Sequence, residues 1–150
     1  MAKIHYEADG PVSPDRFIAA LTDFGPARPE LWPGLDAKFF ELHDRGDTWA
    51  DVTEGTDIFG GVWAREHYDW SEAGTVRLTL REARDFRPGT VTTYRVTPGP
   101  NGGAHVAVDF QRTAASLRGR LVGVLVTLAG ARRFRSELRQ AMERLGTVGA

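Results

Sequence analysis

The sequence predicts an α+β fold in which a curved, seven-stranded antiparallel sheet wraps around one long C-terminal helix. Three observations support this prediction. Six strand-like runs follow one another on short links between residues 35 and 113, as in an antiparallel meander. A further strand-like run and two short helical segments precede them, and one long helical pattern closes the sequence. A meander with one apolar face must cover that face, and only the closing helix is long enough to do so.

Composition fits one domain, 1–150, with room for a substantial core. The hydrophobic fraction of 41% and the charged fraction of 26% are those of an ordinary globular protein. The net charge of −1 gives no general footprint for nucleic acid, so we expect no nucleic-acid partner. The absence of cysteine excludes disulfides and thiolate chemistry. The first six residues lack the apolar segment of a signal peptide, which predicts a cytoplasmic location.

The first strand and the first helix have clear local signals. Residues 4–8 alternate between apolar and polar side chains, as a half-buried strand does. Ser13 can cap the following helix, Pro14 suits its first position, and Asp15 meets the positive end of its dipole. Gly-Pro at 25–26 ends this helix. Its buried face is predicted to be Phe17, Ile18 and Leu21.

A second short helix or turn is predicted at 29–32, and the period of the pattern then changes to that of strands. Glycine-, proline- and aspartate-containing links separate six strands, and the strongest break is the Pro-Gly-Pro-Asn-Gly-Gly segment at 98–103. The six strands are predicted at 35–43, 48–54, 62–70, 75–83, 90–97 and 104–113.

The closing helix carries apolar residues at steps of three or four, which predicts one stripe that faces the core. Gly119, Gly123 and Gly130 each cost about 1 kcal/mol relative to alanine, so they indicate a bend, two helical pieces or close approach of another element. The apolar run at 121–131 is about half as long as the roughly 20 residues of a membrane span, so we predict no transmembrane segment. The stripe comprises Leu117, Leu121, Val124, Leu128, Ala131, Phe134, Leu138, Met142 and Leu145.

Charge is divided unevenly along the chain. Residues 115–150 carry seven basic and two acidic side chains, whereas residues 1–114 carry 12 basic and 18 acidic ones. One interpretation is a solvated basic face that complements an acidic body. The other is contact with an anionic ligand, a lipid head group or an acidic partner, including a weak contact with a membrane surface.

The order of elements resembles that of the START/Bet v 1-like (SRPBCC) superfamily, and most closely its polyketide cyclase/dehydrase and lipid-transport group. The local segments VWAREHYDWS at 62–71, FRPGT at 86–90 and GGAHV at 102–106 strengthen the resemblance, which covers nearly the whole chain. It implies a helix-grip fold with an internal pocket for an apolar ligand such as a lipid, sterol or polyketide. The superfamily has no shared catalytic signature, so the resemblance implies a fold rather than a chemistry.

The pairing of the third and fourth strands of the meander decides which polar residues face such a pocket. If residues 71–74 form a four-residue loop, His67 lies opposite Leu78. Arg65 then lies opposite Leu80. Since these leucines belong to the apolar face of their strand, Arg65 and His67 would point inward with them. A register shifted by one residue would send both outward.

The predicted pocket has apolar walls and a polar island of Arg65, His67 and Tyr94, a composition typical of ligand pockets. Hydrophobic alternation on the last two strands selects the inward residues there, and Trp32 is a candidate for the pocket mouth. The predicted ligand-binding residues are Trp32, Trp63, Arg65, His67, Leu78, Leu80, Tyr94, Val108, Phe110, Leu121, Leu125 and Leu128.

Each polar candidate has a structural and a functional interpretation. His67 is a core histidine with a hydrogen bond, a group that orients the ligand, or a general acid–base catalyst. Arg65 holds a carboxylate or an enolate oxygen, or forms a salt bridge to Asp51 or Glu82. Tyr94 is a core aromatic residue or a proton donor.

We predict no cofactor. We also predict no metal site, because the four histidines lie on different predicted strands without the short spacing of metal ligands. They are His5, His43, His67 and His105.

Three functions remain open at this level. The first is a carrier or sensor of an apolar small molecule. The second is a cofactor-independent polyketide cyclase or dehydratase that uses His67, Arg65 and Tyr94 as catalytic residues. The third is an interaction module that docks through its basic closing helix on a membrane surface or an acidic partner. The protein is expected to be a monomer or a homodimer.

Overall fold

In a computed structural model, residues 1–58 and 60–148 are described, and within them seven antiparallel strands form one open sheet against the closing helix. The spatial order β1-β7-β6-β5-β4-β3-β2 confirms the predicted sheet and long C-terminal helix. The elements are β1 (Ala2–Gly10), α1 (Pro14–Leu21), α2 (Arg28–Leu31), β2 (Glu41–Arg45), β3 (Trp49–Thr56), β4 (Val62–Asp69), β5 (Thr75–Ala83), β6 (Val91–Pro98), β7 (Ala104–Arg112), α3 (Leu117–Leu125) and α4 (Ala131–Val148).

The N-terminal region follows its local signals closely. Ile4 and Tyr6 on β1 are buried and their neighbours are exposed, so one face of the strand belongs to the core. The hydroxyl of Ser13 accepts a hydrogen bond from the backbone of Arg16 and thereby caps α1. Phe17 on α1 is fully buried. This helix therefore packs against the inner face of the sheet.

The prediction of a strand at 35–43 is wrong for residues 35–40. A single 3₁₀ turn, Ala37–Phe39, stands there, and β2 begins only at Glu41. The side chain of Asp36 accepts a hydrogen bond from the backbone of Lys38 at 3.0 Å, a local bond that competes with pairing in a sheet. β2 is a short, exposed edge strand.

The predicted register of β4 and β5 is wrong by one residue. Glu66 lies opposite Leu80, and Tyr68 lies opposite Leu78. A bulge follows on β5, beyond which Arg65 lies opposite Glu82. Because side chains alternate between the two faces of a sheet, Glu66 and Tyr68 belong to the inner face.

The turn between these strands explains the shift. The carboxylate of Asp69 accepts hydrogen bonds from the backbone of Ser71 at 2.9 Å and from its hydroxyl at 2.7 Å. The last β4–β5 pair is Asp69 with Arg77, so Trp70 lies beyond this pairing, and its backbone N–H donates to the backbone oxygen of Thr48 on the β3 side. The turn is therefore longer than the predicted four residues, and Arg65 and His67 point to the outer face.

The closing helix is continuous, but a π-helical turn, Val126–Gly130, separates α3 from α4. The prediction that its apolar stripe faces the core as a whole is wrong for the first half. Leu138, Met142 and Leu145 on α4 are buried as predicted. On the first half, by contrast, the exposed fractions are 74%, 62%, 56% and 78% for Leu117, Leu121, Val124 and Leu128.

The π turn is the physical reason for this change of face. It holds one residue more than an α-helical turn, and each residue of an α-helix advances the face by about 100°. Residues that continue the α4 stripe at steps of three and four therefore fall on the outside of α3. Gly119 and Val122 face the sheet in their place.

Two of the three glycines allow close approach of another element. A Cβ on Gly119 would lie 2.2 Å from the backbone oxygen of Asp85, and one on Gly130 would lie 2.8 Å from Cδ1 of Ile4. Around Gly123 the nearest atom would be 3.7 Å away, which is ordinary contact. Within the described residues, the helices include none with the length and apolar content to cross a membrane.

Candidate functional site

A cavity of about 500 Å³ lies between the inner face of the sheet and the closing helix. Strand β1 and strands β3 to β7 line one side of it, with most of these residues on β3 and β4, and residues of α3, the π turn and α4 line the other side. The loop after α2 borders the cavity as well, through residues 32–35. Six of the predicted ligand-binding residues line it, namely Trp32, Trp63, Leu78, Tyr94, Phe110 and Leu125.

Four predicted apolar residues lie elsewhere. Leu80 and Val108 are on the inner face but are fully buried in the core, where Leu80 packs with Phe86 and Val122 beneath α3. Leu121 and Leu128 lie on the outside of the closing helix, because the π turn changes its face.

Arg65 and His67 line a separate hollow on the outer face of the sheet. Nδ1 of His67 lies 2.8 Å from the carboxylate of Asp51, and its ring stacks on Trp49 at a centroid distance of 5.7 Å. Tyr94 lines the inner cavity. The three predicted catalytic residues therefore do not converge on one cavity, and the catalytic set proposed from the sequence is not assembled.

The outer face also holds histidines in contact with carboxylates. Nδ1 of His5 lies 2.8 Å from Asp109, and Nδ1 of His105 lies 2.7 Å from Asp9. These hydrogen bonds raise the pKa of both histidines. Across residues 1–58 and 60–148, histidine, aspartate and glutamate form no group of three or more that could hold a metal ion.

Inside the cavity wall, Arg28 on α2 joins three elements through its guanidinium. Its Nε donates to the carboxylate of Glu54 at 2.8 Å, and Nη2 donates to the hydroxyl of Tyr68 at 3.2 Å. Nη1 donates to the backbone oxygens of Leu21 and Asp23 at the end of α1. Burial works to lower the pKa of Arg28, but the Glu54 carboxylate overrides this effect and raises it. Arg28 therefore stays charged and paired.

A second buried ion pair joins Arg112 at the end of β7 to Glu66 on β4. Nη2 of Arg112 lies 3.3 Å from the Glu66 carboxylate, and Nη1 donates to the hydroxyl of Thr92. Burial raises the pKa of Glu66, an effect that the nearby Arg112 opposes. The pair thus places a desolvated carboxyl group beside a cation at the cavity wall.

Two tyrosines complete the polar part of the cavity. Tyr6 on β1 and Tyr94 on β6 both line it. Burial raises the pKa of Tyr94 to about 12 and that of Tyr6 well above its ordinary value. Both hydroxyls are therefore uncharged at neutral pH and can donate and accept hydrogen bonds.

The sequence contained signals for part of this cluster. The buried alternation of β3 extends to Glu54, and that of β7 extends to Arg112, so both could have been placed on the inner face. Because the predicted register points Arg65 and His67 inward, it places Glu66, which lies between them, on the outer face. For Arg28 no local signal exists, because it is buried by partners distant in the sequence.

No protein-family model matches the sequence, and no curated protein matches it. Several solved structures, however, are similar to this chain in fold. TTHA0849 from Thermus thermophilus has a TM-score of 0.79 at 18% identity, covering 99% of each chain. A START superfamily protein from Mycobacterium smegmatis has a TM-score of 0.66 at 15% identity, covering 92% of this chain and 99% of that one.

Zhui aromatase/cyclase from Streptomyces sp. R1128 has a TM-score of 0.59 at 18% identity, covering 97% of this chain and 86% of that one. At these identities the likeness shows a shared fold. The predicted helix-grip architecture is confirmed along nearly the whole chain.

Proposed function

We propose, from the START/Bet v 1-like fold that this chain has, that it binds an apolar small molecule in the cavity between its sheet and its closing helix. Its role would be that of a carrier or sensor. The observation that carries the proposal is the cavity itself, whose apolar walls enclose a few converging polar groups. Its volume of about 500 Å³ falls within the range of small-molecule sites. A lipid, a sterol or a polyketide-like molecule has the required apolar surface.

The first test is to fill the cavity. Ala64 lies on β4 and lines the cavity. Ala64→Phe is expected to weaken binding of the neutral fluorescent probe N-phenyl-1-naphthylamine by at least about tenfold, because the ring occupies the space of the ligand. Fluorescence titration measures this change. Native mass spectrometry of gently purified protein is expected to show a bound small molecule in the wild type and none in the variant.

The matched control is Ala107→Phe, which places the same ring on the outer face of β7, opposite Glu7. This variant is expected to bind the probe like the wild type. Equal probe affinity in a folded Ala64→Phe variant would contradict the proposed site. A wild-type protein that binds neither probe nor any co-purified molecule would contradict the proposed function.

A second candidate function is docking on an anionic membrane surface through the closing helix. Its first half presents the apolar row Leu117, Leu121, Val124 and Leu128 to solvent. The exposed arginines Arg120 and Arg132 flank this row. Helices that combine exposed leucines with arginines bind the interface of anionic bilayers.

The test of docking is co-sedimentation with vesicles of phosphatidylserine and phosphatidylcholine. The double variant Leu121→Ser/Leu128→Ser is expected to bind at least about fivefold less, since two apolar side chains no longer enter the interface. Leu42→Ser, at an exposed leucine on β2, is the control and is expected to bind like the wild type. Binding should also weaken with added salt. If vesicle binding changes neither with added salt nor with the double substitution, docking through the closing helix is excluded.

A further inference from the structure

We infer that the cavity accepts uncharged ligands that carry a hydroxyl or ketone oxygen and discriminates against carboxylates, a refinement that rests on the proposed binding function. Three features of the cavity wall support this inference: the pairing of its charges, its neutral hydroxyl groups, and the way in which one arginine is held.

The first feature is charge pairing. Among the described residues that line the cavity, each of the three arginines is paired with one of the three glutamates. Two of these pairs are the buried ones, Arg28–Glu54 and Arg112–Glu66. The third lies on α4, where Nε of Arg133 is 3.1 Å from the carboxylate of Glu137. A carboxylate that enters the cavity therefore finds no unpaired cation, and it would lose its hydration without gaining an opposite charge.

The second feature is the pair of uncharged hydroxyls. Tyr6 and Tyr94 line the cavity and are protonated at neutral pH, as phenols ordinarily are, and burial raises the pKa of each further. A phenol hydroxyl can donate to a ketone oxygen and can either donate to or accept from an alcohol. A site built to bond a hydroxyl or ketone oxygen disfavours ligands that cannot satisfy it. These two side chains can therefore satisfy an uncharged ligand oxygen, and the selection against a charged one rests on the pairing of the arginines.

The third feature is the way in which Arg112 is held, because it predicts that one substitution reverses the preference for an uncharged ligand over a carboxylate. Arg112 is held by more than Glu66, because its Nη1 also donates to Thr92 and to the backbone oxygen of Gln111. Its guanidinium further lies 4.5 Å from the ring centroid of Phe110. If the charge of Glu66 is removed, Arg112 should remain at the cavity wall as an unpaired cation. The same cavity would then attract a carboxylate.

Retinol and retinoate provide a matched pair of ligands, because their apolar bodies are the same and only the terminal group differs. In the wild type, retinol is expected to bind at least about tenfold more tightly than retinoate, as measured by quenching of tryptophan fluorescence. Glu66→Gln is expected to tighten retinoate binding by at least about tenfold while changing retinol binding by less than about threefold. Glu82→Gln, outside the cavity on β5, should change neither.

The outcomes separate the two proposals. Equal binding of both ligands by the wild type, or a folded Glu66→Gln variant with unchanged preference, would overturn charge selection and leave the binding function standing. If the wild type binds N-phenyl-1-naphthylamine but neither retinoid, the refinement is overturned and the binding function stands. If it binds neither retinoid, nor N-phenyl-1-naphthylamine, nor any co-purified molecule, both are overturned. If Glu66→Gln does not fold, the wild-type comparison of retinol with retinoate still decides the inference.

Discussion

Replacing Arg28 with methionine is expected to lower the free energy of unfolding by about 3–5 kcal/mol. The Arg28 side chain is 2% exposed and is the partner of the Glu54 carboxylate. Its removal leaves that carboxylate in the cavity wall without a cation, and it also removes the bonds that tie the end of α1 to the sheet. Chemical denaturation followed by tryptophan fluorescence measures the loss.

Two variants test the reason for this loss. The double variant Arg28→Met/Glu54→Gln should recover part of the lost stability, because the uncompensated charge is gone. Lys38→Met breaks a surface pair with Asp57 in which both side chains are more than half exposed, and it should lower the free energy of unfolding far less than Arg28→Met does. Similar losses for Arg28→Met and Lys38→Met would show that burial of the pair is unimportant.

Gly119→Ala is expected to lower the free energy of unfolding by about 1–3 kcal/mol, although alanine is the better helix former. The new Cβ would lie 2.2 Å from the backbone oxygen of Asp85. Asp85 is fixed against the start of α3, since its carboxylate accepts hydrogen bonds from Ser116 at 2.9 Å and from Arg118. The helix must therefore move away from the sheet. Thermal denaturation followed by circular dichroism measures the effect.

Gly123→Ala is the matched control on the same helix, one turn further on. Its nearest neighbour would be 3.7 Å from the new Cβ, so the substitution meets no obstacle. It should raise the free energy of unfolding by up to about 1 kcal/mol through helix propensity. A gain in stability from both substitutions would mean that the contact between Gly119 and Asp85 imposes no constraint.

The elements whose signals are local were predictable from the sequence. Ser13 caps α1 as its residue type suggests, and the breaks at glycine and proline separate the strands. The inner positions Tyr94 and Phe110 follow from alternation within single strands. These cases need no information about a partner element, because period and capping are properties of a short segment.

Features that depend on two elements were not predictable in this way. The register of β4 against β5 is set by the Asp69 side chain at the turn, whereas a four-residue loop at 71–74 predicts a register shifted by one residue. The ion pair of Arg112 with Glu66 joins positions 46 residues apart, and that of Arg28 with Glu54 joins positions 26 apart. Such pairs become visible only when the strands are assembled. Six of the twelve predicted ligand-binding residues line the cavity, and of these Leu78, Tyr94 and Phe110 follow from alternation within single strands.

The π turn has a consequence for the divergence of homologous chains. A π turn arises from one inserted residue, so a homologue with a regular helix at 126–130 would be one residue shorter there. Its alignment with this chain would need a gap inside a helix, where gaps are normally penalised. Between such homologues, a deletion of one codon would rotate the leucines of α3 by about 100° towards the sheet, which no single substitution can do.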